Sequence, residues 1–203
     1  EYVHAELAAQ LDFNPLSFLH VLKPAFVNQQ TIAYEKRYKQ VQQKYQEFKD
    51  EIILVKDNKP AIYIHKIITK TESFTGIIVG TSIEEYRNDI IRKHEDTIAF
   101  RVRLLKEYMK YSSFNTEPVL MTYPDNKTIE NWIFNCTQKQ ADFEFSTTKK
   151  EIHYLWKIDD ALEISWLQNI FKKTNYLYIA DGHHRCEASA LLSEENEDSE
   201  NIS

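Results

Sequence analysis

The sequence predicts a mixed α/β fold, a mixed sheet with flanking helices. Three observations point to it. Two runs rich in β-branched and aromatic residues, AIYIHKIIT (61–69) and FTGIIVGTSI (74–83), flank the polar stretch KTES and read as a β-hairpin. Residues 31–48 carry Ile32, Tyr34, Tyr38, Val41, Tyr45 and Phe48, mostly three and four apart, as an amphipathic helix requires. The later chain alternates helical and strand-like segments, and it contains no internal repeat.

The remaining elements follow in order. Residues 1–13 read as a short helix, and NPLSFLHVLKP (14–24) as an extended, partly buried segment closed by proline. The Lys, Gln and Glu residues of 31–48 form a solvated face. Between Ile90 and Tyr111 the charged chain is expected to be helical, with Leu104, Leu105 and Met109 as its apolar edge. PVLMTY (118–123) is expected to be a buried strand, 127–136 a helix, and DFEFS (142–146) with EIHYLWKI (151–158) a strand pair. Asp159 or Asp160 is placed to cap a helix running through Ile170. YLYIA (176–180) is then a strand, and His184 to Leu192 a helix. Residues 1–192 are expected to form a single domain, followed by an acidic, apolar-poor mobile tail, SEENEDSENIS (193–203).

Composition narrows the function classes. The 203 residues are 42% hydrophobic and 28% charged, an ordinary globular balance, and the net charge of −6 provides no basic footprint for nucleic acid. The N-terminal residues lack the basic start and apolar core of a signal peptide. No run approaches the roughly 18 apolar residues of a membrane span. Cys136 and Cys186 are far apart and have no zinc-type spacing, so reduced thiols are the simplest account. Together these features predict a cytoplasmic protein with neither membrane nor nucleic-acid partners.

Glycine is scarce: about 7% is usual, and here there are three, Gly76, Gly80 and Gly182. Glycine-rich phosphate cradles are thereby excluded. Gly182 stands where a strand ends, inside YLYIADGHHRCEASALL (176–192). A strand, a one-glycine turn and a helix start bring backbone amides and the positive end of a helix dipole to one place. His183, His184 and Arg185 add donors, and Asp181 is positioned to hold Mg²⁺ or to accept a proton. The five residues suit an anion such as phosphate, although Asp-Gly is also a common turn pair and His-His-Arg a serviceable solvated first turn.

IIRKHEDT (90–97) is a second cluster, in which His94 and Glu95 offer a base or a metal ligand, or simply a charged helix start. Arg101 lies further along that segment. Asn115 and Thr116 precede the PVLMTY strand as candidate polar pocket residues. His65 and His153 alternate within strands and read as structural. The spacings contain no metal motif of the H-E-x-x-H type, so no residue is assigned to a resident metal.

SFLHV (17–21), KHE with Thr97 and Arg101, the loop before PVLMTY and above all YIADGHHR (178–185) resemble the "domain of unknown function 1015" family, in that family's motif order. The resemblance implies longer relatives, of which this chain would be the N-terminal part. More distantly, the Asp-Gly-His-His-Arg turn is similar to the phosphate-binding motif of the ParB/sulfiredoxin superfamily. His183 stands where sulfiredoxins carry their catalytic cysteine, so the similarity lies with the free-serine-kinase branch.

That resemblance implies a ParB/sulfiredoxin-like strand–turn–helix phosphate motif near the C-terminus. The implied activity is a phosphotransferase that moves a phosphoryl group from a nucleotide or pyrophosphate to a small hydroxyl metabolite, with L-serine the first candidate. Gly182, His183, His184 and Arg185 would hold phosphate, Glu95 or Asp181 would act as base, and Mg²⁺ would bridge. The alternative expectation is a non-catalytic module that binds a nucleotide or phosphorylated metabolite.

Overall fold

The computed structural model describes residues 4–24 and 33–201. In chain order they form α1 (His4–Phe13), α2 (Leu19–Leu22), α3 (Tyr34–Asp50), β1 (Ile62–Ile68), β2 (Ser73–Ile78), α4 (Ile83–Arg87) and β3 (Ile91–Arg92). There follow α5 (Ala99–Ser112), β4 (Leu120–Thr122), α6 (Lys127–Thr137), β5 (Phe143–Ser146), β6 (Ile152–Ile158), α7 (Ala161–Phe171), β7 (Leu177–Asp181) and α8 (His183–Asn201). The class is mixed α/β, as expected. No helix among the described residues is long and apolar enough to cross a membrane.

The chain divides into two compact units, one of Glu1–Lys56, Thr97–Glu117 and Glu187–Ser203, the other of Asp57–Asp96 and Pro118–Cys186. In the first unit, Val21, Val41 and Phe48 are buried together, with Phe18, Tyr45, Tyr108 and Phe114 packed against them. Some of the aromatic rings meet edge-to-face, such as Tyr38 and Tyr108 at 5.6 Å and 84°. Val102, Met109 and Ala188 form a smaller cluster.

Two sequence expectations are corrected here, and the residues after Ser193 are given a structure. The segment 14–24 is not extended, because it holds the turn α2, which drives Val21 into complete burial. Its turn is pinned by His20, whose Nε2 lies 3.1 Å from both the Leu11 and Asn14 carbonyl oxygens. The helix expected from Ile90 begins only at Ala99, so residues 93–98 lead from a strand into a helix. The acidic stretch after Ser193 continues α8 to Asn201, and the Glu195 carboxylate accepts hydrogen bonds from the ammonium groups of Lys106 (2.6 Å) and Lys110.

The second unit contains a four-stranded antiparallel sheet, order β2-β1-β6-β5, and a three-stranded sheet, order β3-β7-β4. Strand alternation places Ile62 and Ile64 on one face of β1, opposite Ile158 and Trp156 of β6. These four are buried against Ile129, Trp132 and Cys136 of α6 and Leu167 of α7. Each fully buried aliphatic side chain contributes about 1.5–3 kcal/mol. The core's polar edges are satisfied: the Trp156 indole donates to the Lys139 carbonyl at 2.9 Å, and that of Trp132 to Glu163 at 2.5 Å. Asn126 caps α6, and Asp160, rather than Asp159, caps α7 through the Glu163 amide at 2.8 Å. Both cysteines are buried thiols outside any disulfide.

Candidate functional site

The geometry begins with strand direction in the three-stranded sheet. β3 and β7 run parallel, with Ile91 beside Leu177, so both strands end at the same edge of the sheet. β4 runs antiparallel, with Leu120 beside Asp181, so the residues leading into β4 lie at that edge too. Three chain segments therefore converge there: Lys93–Asp96 after β3, Gly182 and the start of α8 after β7, and Pro118–Val119 before β4. Loops beyond the carboxyl ends of parallel strands are where α/β sheets usually place ligands. Ile91, Ile179 and Cys186 form the buried floor beneath them.

Gly182 makes the convergence possible. Its φ is +100°, and a Cβ there would lie 3.2 Å from both methyl groups of Val119. A side chain is excluded both by backbone conformation and by space. Immediately after it, the Arg185 and Cys186 amides donate to the Gly182 carbonyl at 2.9 and 3.1 Å, starting α8. Arg185 fastens the same turn: Nη1 donates to the Pro118 carbonyl at 2.6 Å and Nη2 to Asp181 at 3.1 Å. The Asp181 side chain remains 72% exposed.

His183 behaves differently from its neighbour His184, which is only half-buried. Its side chain is 2% exposed, and its imidazole projects toward the loop after β3. The His94 amide donates to its Nε2 at a long 3.4 Å, and Glu95 Oε1 lies 3.1 Å from its Nδ1. That carboxylate is within ion-pair distance but off the direction of a ring N–H, so Nδ1 makes no aligned hydrogen bond. The His94 ring stands edge-on to the His183 ring, with centroids 4.4 Å apart at 88°. One ligand atom from each of His94, Glu95 and His183 lies within 4.8 Å of the others. Beside this group, the Arg92 guanidinium sits 3.3 Å over the Tyr176 ring.

The sequence candidates thus separate. His94, Glu95, Asp181, Gly182, His183, His184 and Arg185 all lie at this sheet edge in the second unit. Arg101, on the first turn of α5, and Asn115 and Thr116, after α5, belong to the first unit. The sequence reading missed the burial of His183 and its approach to Glu95. The available signal was the apolar pair Ile90-Ile91 before Arg-Lys-His-Glu, a strand end like Ile179-Ala180 before Asp-Gly-His-His. Chemically, the edge offers helix-start amides and a guanidinium for an anion, carboxylates for protons or cations, and three imidazoles.

A family model described as "Protein of unknown function (DUF1015)" matches residues 1–203. No curated protein and no solved structure matches the chain.

Proposed function

The chain belongs to the DUF1015 family, and we propose that it transfers a phosphoryl group from a nucleotide or pyrophosphate to a small hydroxyl metabolite, with free L-serine the first acceptor to try. The observation that carries this reading is the meeting of two carboxylates, Glu95 and Asp181, with the start of α8 at one sheet edge. The similarity of Asp-Gly-His-His-Arg to the phosphate turn of the ParB/sulfiredoxin superfamily, in its free-serine-kinase form, supports it.

In this reading the donor's terminal phosphate rests on the backbone amides after Gly182, with His184 and Arg185 beside it. His183 contributes its amide, because its side chain is turned inward. The acceptor oxygen attacks phosphorus, the bond to the donor's bridging oxygen breaks, and the hydroxyl proton passes to a carboxylate, Asp181 or Glu95. Phosphoryl transfer depends on positioning and charge neutralisation more than on covalent chemistry, which suits this set of groups. Mg²⁺ usually takes one or two carboxylates together with phosphate oxygens, and the exposed Asp181 fits that role. When bound, the ion would neutralise phosphate charge.

The test is formation of phosphoserine from L-serine with ATP, ADP or pyrophosphate and Mg²⁺. The expected result is turnover that is lost in Arg185→Ala and Asp181→Asn. Full turnover in both variants sinks the assignment. One observation favours a second reading, a non-catalytic phosphate-binding module: Asp181 is already engaged by Arg185, and Glu95 by His183. Tight nucleotide binding without turnover, insensitive to Asp181→Asn, would select it.

A further inference from the structure

We propose that His94, Glu95 and His183 bind a divalent transition-metal ion of the zinc, cobalt or iron class. The site is separate from any Mg²⁺ carried by a phosphate donor, and the inference does not depend on the phosphotransferase reading.

The donor set comes first. Among the described residues, these are the three of the His, Cys, Asp and Glu type whose ligand atoms approach closely enough to share an ion, all within 4.8 Å. Two imidazoles and one carboxylate suit zinc and its neighbours in the first transition row, whereas magnesium prefers an all-oxygen shell. Three protein ligands also leave a coordination position for water or a substrate oxygen.

The second observation is the state of His183. Its ring is 98% buried, which normally demands that both nitrogens be satisfied, yet Nδ1 makes no aligned hydrogen bond and faces a carboxylate 3.1 Å away. An ion between Nδ1 and Glu95 satisfies both. Ligation through Nδ1 places the ring proton on Nε2, so the long contact from the His94 amide is given up as the ion arrives.

The required movement is small and lies in the right place. Ligands about 2.1 Å from a tetrahedral zinc are roughly 3.4 Å apart, so the separation of up to 4.8 Å must close by little more than an ångström. His94 and Glu95 are exposed residues on the loop after β3 and supply that movement, while buried His183 is the fixed member. With the ion bound, Glu95 becomes a ligand, so of the two carboxylates proposed as base Asp181 is the one left to accept a proton.

The experiment is metal binding alone, without phosphate donor or acceptor. Metal-freed protein is dialysed to equilibrium against Zn²⁺ and titrated with Co²⁺, whose visible absorption reports tetrahedral nitrogen and oxygen ligands. The expected result is one ion per chain, retained in excess Mg²⁺, with a perturbed His94 amide resonance. His94→Ala and Glu95→Gln, both surface changes, each weaken binding at least tenfold, given that losing even an outer-shell partner costs about 10–100-fold. His65→Gln, at the other paired histidines, leaves binding unchanged. Unaltered affinity in the double variant His94→Ala/Glu95→Gln, or displacement by equimolar Mg²⁺, overturns the assignment. Because the readout is metal binding alone, either result stands apart from whether phosphoserine forms.

Discussion

Replacing Gly182 with alanine tests the geometry of the sheet edge directly. Two costs add. A residue with a side chain held at positive φ loses about 1–2 kcal/mol, and Gly182 sits at +100°, well outside the comfortable left-handed region. The new Cβ also meets two Val119 methyl groups at 3.2 Å, and overpacking of that kind costs roughly 1–3 kcal/mol. Restricting the unfolded chain returns about 0.4–1 kcal/mol. The net expectation is a loss of about 2–3 kcal/mol, or roughly 1 M in the urea midpoint.

Tryptophan fluorescence is a suitable probe, because Trp132, Trp156 and Trp166 all lie in the unit that contains Gly182. A double-mutant cycle divides the loss. In a Val119→Ala background both methyl contacts are absent, so Gly182→Ala should cost only its backbone share. An equal cost in both backgrounds would refute the steric argument. A loss below about 0.5 kcal/mol in the wild-type background would refute the whole account.

Two further predictions concern pH. Burial, and secondarily the neighbouring His153, hold His65 below its ordinary value of 6.5. The unfolded chain therefore binds the proton more readily, and stability should fall as pH drops below about 6.5; a urea-midpoint profile that stays flat in that range, or one unchanged in His65→Gln, contradicts this. Glu195 is held down to about 2 by hydrogen bonds from Lys106 and Lys110. Its contribution is present above the ordinary carboxylate range and is lost as pH falls from about 4.5 toward 2. Because the pair is partly exposed, added salt should shrink that contribution, and Glu195→Gln should remove this part of the acid slope, as read by helical circular dichroism.

The fold was most legible where one period dominates. β1, β2, β5 and β6 announce themselves through alternating β-branched and aromatic residues, and α7 through its cap at Asp160. Ile91–Arg92 escaped because a two-residue strand has no period to detect, and its neighbours Lys93 to Asp96 carry the charge typical of a helix surface. α2 escaped because Pro15 and Pro24 bracket it, which reads as extended chain, while the burial that holds its turn comes from Val41 and Phe48 on another helix. The site was half visible. Asp-Gly-His-His-Arg is contiguous and could be read as a turn opening a helix. The approach of Glu95 to His183 depends on a parallel pairing across more than eighty intervening residues, and the local hint, the apolar pair Ile90-Ile91, marks a strand end without naming its partner.

The brevity of β3 has a consequence for how the site opens. Only Ile91 and Arg92 pair with β7, supplemented by the Leu177 amide on the Ile90 carbonyl at 2.9 Å. So short a ladder can detach for far less free energy than unfolding the four-stranded sheet requires. His94 and Glu95 thus hang from the weakest strand at the sheet edge, while His183 belongs to a buried helix start. Amide protons of residues 91–95 should exchange through local opening well before those of β1 and β6. Any ligand that bridges the two sides would slow that exchange selectively, making the segment a kinetic reporter of occupancy.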